Sequence, residues 1–351
     1  MDNLVLNYFK AWETKDKLLL QEVLTPTPRG IRTFFEQRLY NLDAILEALE
    51  DSVVIKYSII HQDVMDGVIY VDADLMYREN NVENNVMVTM KIIIDGGRIK
   101  RVYETRKLIG KKRIKCVVSY DGSTYLGYQK QKVGNTIQGT LEKVLSKICN
   151  EDISIHSSGR TDKGVHAHNQ VFHFDTTSKI NPHGFRLVLN SNLPDSIYIK
   201  SSEEVHGTFH SRFDIYYKEY VYMINTADYN MILRNYEWAP GKFDMDIFEY
   251  EIQSVVGEHD FTAFTKTNHL SNIRNVHSVQ FEQVGIHLKV TIRGTGFLRY
   301  MVRNIVYAAI SIANRSIMNS MGELIEKRDN TLIIDMAPAG GLYLNEVKYY
   351  D

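Results

Sequence analysis

Apolar residues in the first fifty positions recur at helical spacing. Leu4, Tyr8, Phe9 and Trp12 share one face of a helix. Ile31–Leu49 repeats the spacing through Phe34, Leu39, Leu42, Ile45, Leu46 and Leu49. Pro26 and Pro28, which cannot donate to a helical ladder, break the chain between the two. After Asp51 the residues become β-branched, and the pattern predicts strands over Val53–Ile60, Val68–Met76, Val86–Ile94 and Ile99–Tyr103. Asp66-Gly67 and Gly96-Gly97 stand at two of the junctions, where a two-residue hairpin turn needs positive φ. Helices followed by a meander of long strands predict an α+β unit whose helices cover one face of a curved antiparallel sheet.

The stretch 105–113, TRKLIGKKR, is basic and predicts a linker over residues 107–113, between a unit at 1–106 and another at 114–351. A solvated junction and contact of Lys111, Lys112 and Arg113 with RNA phosphates both fit its charge. Beyond it the pattern predicts a strand at Ile114–Tyr120, then a helix from Thr136 to Ile148 with Ile137, Leu141, Val144, Leu145 and Ile148 on one face. Strands are expected at Ile153–Ile155, Val171–Phe174, Ile197–Ile199 and Tyr216–Ile224, with a helix opened by Asn181-Pro182 before Pro194. Met245–Val256 predicts a helix ended by Gly257. A hairpin over Val276–Val284 and Ile286–Arg293 follows, then a helix from Phe297 to about Asn314. Strand and helix alternate twice, over approximately 114–205 and 206–351, as two related α+β lobes would.

Composition narrows the classes. A chain of 351 residues exceeds one compact domain, and 44% hydrophobic with 24% charged residues suffices for a core. No apolar run is long enough to span a bilayer and the first residues lack a signal-peptide pattern, so a cytoplasmic location is the expectation. Cys116 and Cys149 have no CxxC spacing, which argues against a disulfide framework or a thiolate zinc site. Net charge is −2, with −3 in residues 1–110 and +1 in the remainder, so any nucleic-acid contact must come from a local patch.

The chemistry concentrates in Ser158–His168, SGRTDKGVHAH, where Gly159 and Gly164 permit a tight loop around Arg160 and Asp162. A guanidinium beside a carboxylate lowers its pKa and keeps it ionised, the state a carboxylate nucleophile needs. From spacing alone the loop reads equally as a turn closed by a salt bridge. A metal site on His166, His168 and His173 fits poorly, because His173 falls on the other strand face. Arg299 and Arg303, four apart, project together from the last predicted helix, away from the stripe of Leu298, Met301, Ile305, Ala308 and Ile312. That pair and Tyr220, in an alternating strand, also suit ordinary surface and core positions.

GRTDKGVHA resembles the signature loop of the TruA family of tRNA pseudouridine synthases. SYDGSTYLGYQKQ, NTIQGTLEKVL, FHSRFD, KEYVYMIN, GEHDFTAF, GTGFLRYMVRNIV and APAGGLYL resemble further family blocks in order, covering about Ile114 to Tyr350. The resemblance implies two ferredoxin-like, RRM-like lobes sharing a largely antiparallel sheet with a catalytic cleft. It implies no cofactor and no metal, tRNA as partner, a homodimer, and action on uridines 38 to 40 of the anticodon stem-loop. Carried over by position, Asp162 is the nucleophile and Arg160 pairs with it and helps flip the base. Tyr220 stacks on the base, Arg303 forms an ion pair with the Asp, and Leu342 lines the pocket. Lys163, where the family usually has Ala, is a candidate RNA contact with Arg299, and Tyr128 stands where many members have Trp. The first unit is similar in pattern and length to the cone-shaped nuclear-transport-factor-like (SnoaL-like) fold, which implies assembly or binding of a small ligand. A non-catalytic RNA-binding or RNA-chaperone protein on the same fold is the alternative reading.

Overall fold

The computed structural model describes residues 2–28, 31–32, 38–39, 41–79, 81–213, 215–266 and 271–350. The chain divides into two compact units, residues 1–112 with 206–209, and residues 113–205 with 210–351.

In the first unit, α1 (Asp2–Thr14) and α2 (Lys17–Val23) precede the short strands β1 (Ile31–Arg32) and β2 (Arg38–Leu39), then α3 (Leu42–Glu50). Asp16 and Asn41 cap α2 and α3 by accepting from the backbone N–H groups of Leu19 and Ala44. The helix expected over Ile31–Leu49 is confined to its second half, since Ile31 and Leu39 belong to a strand pair. Phe34 lies outside the described residues. Four strands complete the sheet: β3 (Val54–Met65), β4 (Val68–Glu79), β5 (Val82–Asp95) and β6 (Arg98–Arg106). The order is β2-β1-β6-β5-β4-β3, antiparallel except for the β1–β6 pair. Asp66 and Gly67 have φ of 49° and 77°, and Gly96 and Gly97 have 56° and 77°, the left-handed pairs that two-residue hairpin turns require. Strand alternation buries Ile69, Val71, Ala73 and Leu75 on one face, in the same hydrophobic cluster as Val5, Phe9 and Trp12 of α1.

The second unit is built on one mixed sheet. Its strands are β7 (Lys112–Tyr120), β8 (His156–Ser157), β9 (His166–Thr176), β10 (Ile197–Val205), β11 (Ile215–Asn225), β12 (Gly257–Asp260), β13 (Ile273–Val284), β14 (His287–Gly294) and β15 (Leu342–Tyr349). The helices are α4 (Ile137–Cys149), α5 (Phe185–Asn190), α6 (Met245–Gln253), α7 (Met301–Ala313) and α8 (Met321–Lys327). The order β10-β7-β9-β15-β11-β14-β13-β12 puts the last strand in the middle. There β15 runs parallel to β9 and antiparallel to β11, with Leu344 beside Ala167 on one side and Tyr220 on the other. This registration gathers sequence-distant residues at the sheet centre. Three boundaries differ from expectation. Ile153–Ile155 is not a strand, α6 stops at Gln253 with Gly257 opening β12, and α7 begins at Met301. Among the described residues no helix is long and apolar enough to cross a membrane.

Candidate active site

The loop between β8 and β9 carries Asp162 to a cavity of about 890 Å³. Gly164, at φ +79°, makes the sharp return into β9, and the Val165 N–H donates to the Asp162 carbonyl at 3.2 Å. Gly127, at φ +100°, lies against the loop's backbone. A Cβ there would stand 3.0 Å from the Thr161 oxygen and 3.2 Å from the Lys163 nitrogen, so glycine is required for this approach.

Two arginines reach the carboxylate. Arg299 Nε lies 3.9 Å from Asp162 Oδ1 and Arg303 Nη1 lies 3.9 Å from Oδ2. Their convergence does not come from helical spacing, because Arg299 precedes α7. Between them Tyr300 adopts a left-handed backbone, φ +67°, at a cost of about 1 to 3 kcal/mol for a non-glycine residue. Its ring lies under both guanidinium groups, with centroid distances of 4.6 Å to Arg299 and 5.9 Å to Arg303, within cation–π range. Arg303 also donates through Nε to the Ala337 carbonyl at 2.6 Å, tying α7 to the segment that leads into β15. The side chains differ in setting: Arg303 is 12% exposed and Arg299 58%.

Burial pushes the Asp162 carboxyl above the usual carboxylate range; Arg303 and then Arg299 oppose this without cancelling it. The expectation that neighbouring cations would hold it low is therefore corrected: desolvation outweighs them. Arg160, which the resemblance pairs with Asp162, is exposed on the cavity wall and makes no ion pair with it among the described residues. Tyr220 is buried on β11, edge-on to Phe297 at 5.2 Å between centroids. Its phenol is pushed up by burial, then by Tyr120 and the Asp162 charge, so it stays protonated at neutral pH. Leu342, buried at the start of β15, adds apolar wall.

The lining is strongly cationic. Arg160, Lys163, Arg212, Lys218, Arg274, Arg299 and Arg303 face the cavity, and Asp162 is the one carboxylate among the described lining residues. Arg212, Lys218, Arg274 and Phe297 were not singled out from the sequence, although Arg212, Lys218 and Phe297 stand in the blocks FHSRFD, KEYVYMIN and GTGFLRYMVRNIV. Lys111, Lys112 and Arg113 are not among the lining residues. Arg113 is withdrawn as an RNA contact, because it is buried with both Asp175 oxygens on its guanidinium, at 2.7 and 2.8 Å. Among the described residues no cluster of His, Cys, Asp or Glu is arranged to hold a metal. His166 is engaged instead by the Gly122 N–H and the Asn235 carbonyl, and His173 by Ser211.

A half-buried carboxylate flanked by two guanidinium groups, in a cavity with aromatic walls and a cationic lining, suits a polyanionic substrate that presents a planar ring. The family model for tRNA pseudouridine synthase matches residues 116–214 and 252–350. A tRNA pseudouridine synthase A of Brevibacillus brevis is 40% identical over 243 residues, covering 68% of this chain and 100% of the relative. Its counterpart in Thermotoga petrophila is 36% identical over 244 residues, with the same coverage of both chains. The chain belongs to the tRNA pseudouridine synthase family. Among solved structures, a putative polyketide cyclase from Sinorhizobium meliloti aligns with 29% of this chain and 94% of its own, at 22% identity and TM-score 0.27. A putative SnoaL-like polyketide cyclase from Shewanella denitrificans aligns with 30% and 89%, at 13% identity and TM-score 0.27.

Proposed function

We propose that this tRNA pseudouridine synthase isomerises uridine through Asp162, acting on a nucleotide flipped from its stack into the cavity. The observation that carries the reading is the position of the Asp162 carboxylate, 3.9 Å from each of two guanidinium groups in a cavity that Tyr220 also lines. The ionised carboxylate attacks ribose C1′ or uracil C6, or removes a proton on a glycal route. The N1–C1′ bond breaks, the uracil turns, and C5 bonds to C1′. The C5 proton departs and N1 ends protonated, so the atoms and electrons balance without cofactor or oxidant. Arg303 and Arg299 offset the charge that burial disfavours, Tyr220 stacks on the base, and Leu342 closes the apolar side. Arg160 assists flipping from the rim, where Lys163 and the other exposed cations meet phosphates.

By resemblance the substrates are uridines 38 to 40 of the anticodon stem-loop, bound across a cytoplasmic homodimer whose subunits each fold as two ferredoxin-like lobes on the shared sheet. The first unit, read as a cone-type domain over residues 1–106, serves assembly, substrate selection or a small ligand; of the linker expected over 107–113, residues 112 and 113 belong to β7. Asp162→Asn tests the central claim. It should bind tRNA with affinity near wild type and form no pseudouridine. Activity persisting in that variant refutes the assignment, and absence of activity in the wild-type protein favours the RNA-chaperone alternative.

A further inference from the structure

Asp162 is held by a loop whose own stability does not explain its shape. Residues 158 to 165 form no regular ladder, so their backbone groups must find partners elsewhere. Side chains from β9 and β11 and a loop N–H meet its backbone carbonyls, and β7 meets one of its side chains. Gln170 on β9 is fully buried and donates from Nε2 to the Gly159 carbonyl at 2.9 Å, while its Oε1 accepts from the Ser158 hydroxyl. Lys218 on β11 donates to the Ser158 carbonyl at 2.7 Å. Tyr120, at the end of β7, shares a 2.8 Å hydrogen bond with the hydroxyl of Thr161, the residue immediately before the nucleophile. The Thr161 carbonyl in turn accepts from the Tyr128 N–H at 3.1 Å.

We infer that Tyr120 is a positioning residue for the reaction: its hydroxyl, acting through Thr161, fixes the direction in which Asp162 faces the flipped uridine. Tyr120 is 3% exposed and Thr161 7%, so water does not replace this bond readily. Tyr120 is not among the described cavity-lining residues. A planar peptide, the Thr161 χ1 and ψ torsions and the Asp162 φ and χ1 torsions separate the hydroxyl from the carboxylate. The hydrogen bond thus anchors the Thr161 end of that path, and misplacement of the carboxylate by about 1 Å costs up to a hundredfold in rate. The inference rests on Asp162 as nucleophile, and the experiment separates the two claims.

The test is a double-mutant cycle on tRNA, with kcat, KM and thermal midpoint measured for each protein. Tyr120→Phe keeps the ring and removes only the hydroxyl, and Thr161→Val removes its partner at nearly constant volume. Each should lower kcat about tenfold with KM for tRNA held within about twofold, and the double variant should be no slower than the slower single. Thr161→Ser, which retains the hydroxyl, should keep near-wild-type kcat. A purely structural contact would lower the thermal midpoint and leave the kcat of the folded fraction unmoved. The inference is overturned by an unchanged kcat in Tyr120→Phe, by additive losses in the double variant, or by a loss that falls on KM instead. If Asp162→Asn is inactive while Tyr120→Phe is fully active, only the positioning claim falls; if Asp162→Asn is active, the nucleophile assignment falls.

Discussion

Replacing Arg303 by Met removes one of two charges equidistant from the nucleophile while keeping most of the side-chain volume. At 3.9 Å a unit charge pair is worth about 4 kcal/mol at an effective dielectric of about 20, a ceiling that solvent lowers. Arg303 is 12% exposed, so screening is weak; Arg299, at the same distance but 58% exposed, contributes far less. Burial already raises the Asp162 pKa and the arginines hold it down, so losing Arg303 must raise it further. A nucleophile that works ionised then turns on at higher pH. The acid limb of the rate profile should move up by about 1 to 3 pH units in Arg303→Met, the range for a neighbouring opposite charge. In Arg299→Met it should move by less than about 1 unit, and by less still in high salt. Single-turnover tritium release from C5-labelled uridine in tRNA, taken across the pH range, measures both shifts free of product release. Profiles that superimpose on wild type would refute the electrostatic reasoning. Equal shifts for the two variants would refute the argument from exposure.

Gly127→Ala tests the backbone approach behind the nucleophile loop. Its Cβ would press on the Thr161 oxygen and Lys163 nitrogen from a left-handed backbone, so the variant should lose about 1 to 3 kcal/mol of stability in denaturant titration and most of its kcat; a stable, active variant shows that the loop yields. The cationic lining predicts a steep fall of tRNA affinity with salt. Each of Arg160→Ala, Lys163→Ala and Arg299→Ala that removes a phosphate contact should reduce the log–log slope by about 0.7 to 0.9, measured by filter binding at several salt concentrations.

The hairpins of the first unit were legible because Asp66-Gly67 and Gly96-Gly97 state their turn type locally. Ile31–Leu49 reads as one helix because Ile31, Leu39 and Leu42 fall at helical intervals by coincidence, and only tertiary pairing assigns the first two to strands. The seven-residue α2 is too short to show a period, and its Asp16 cap was the one local sign. In the site, Asp162, Tyr220, Arg303 and Leu342 came from literal motif likeness, and the structure lines one cavity with all four. Spacing alone puts Arg299 and Arg303 on one helical face, whereas the turn at Tyr300 is what brings the pair together. Arg274 stands in no informative motif, and it reaches the cavity through the order of β11, β14 and β13. Such meetings depend on which strands become neighbours, which no window of sequence contains.

The distribution of charge has a bearing on how substrate arrives. The lining carries six net positive charges in a chain of net −2, which leaves eight net negative charges for everything else. A polyanion approaching from solution is thus drawn to this cavity by its own local charge and not by a general field of the protein. Capture and aim become one event, and a nucleic acid that cannot offer a ring to that opening gains little from staying.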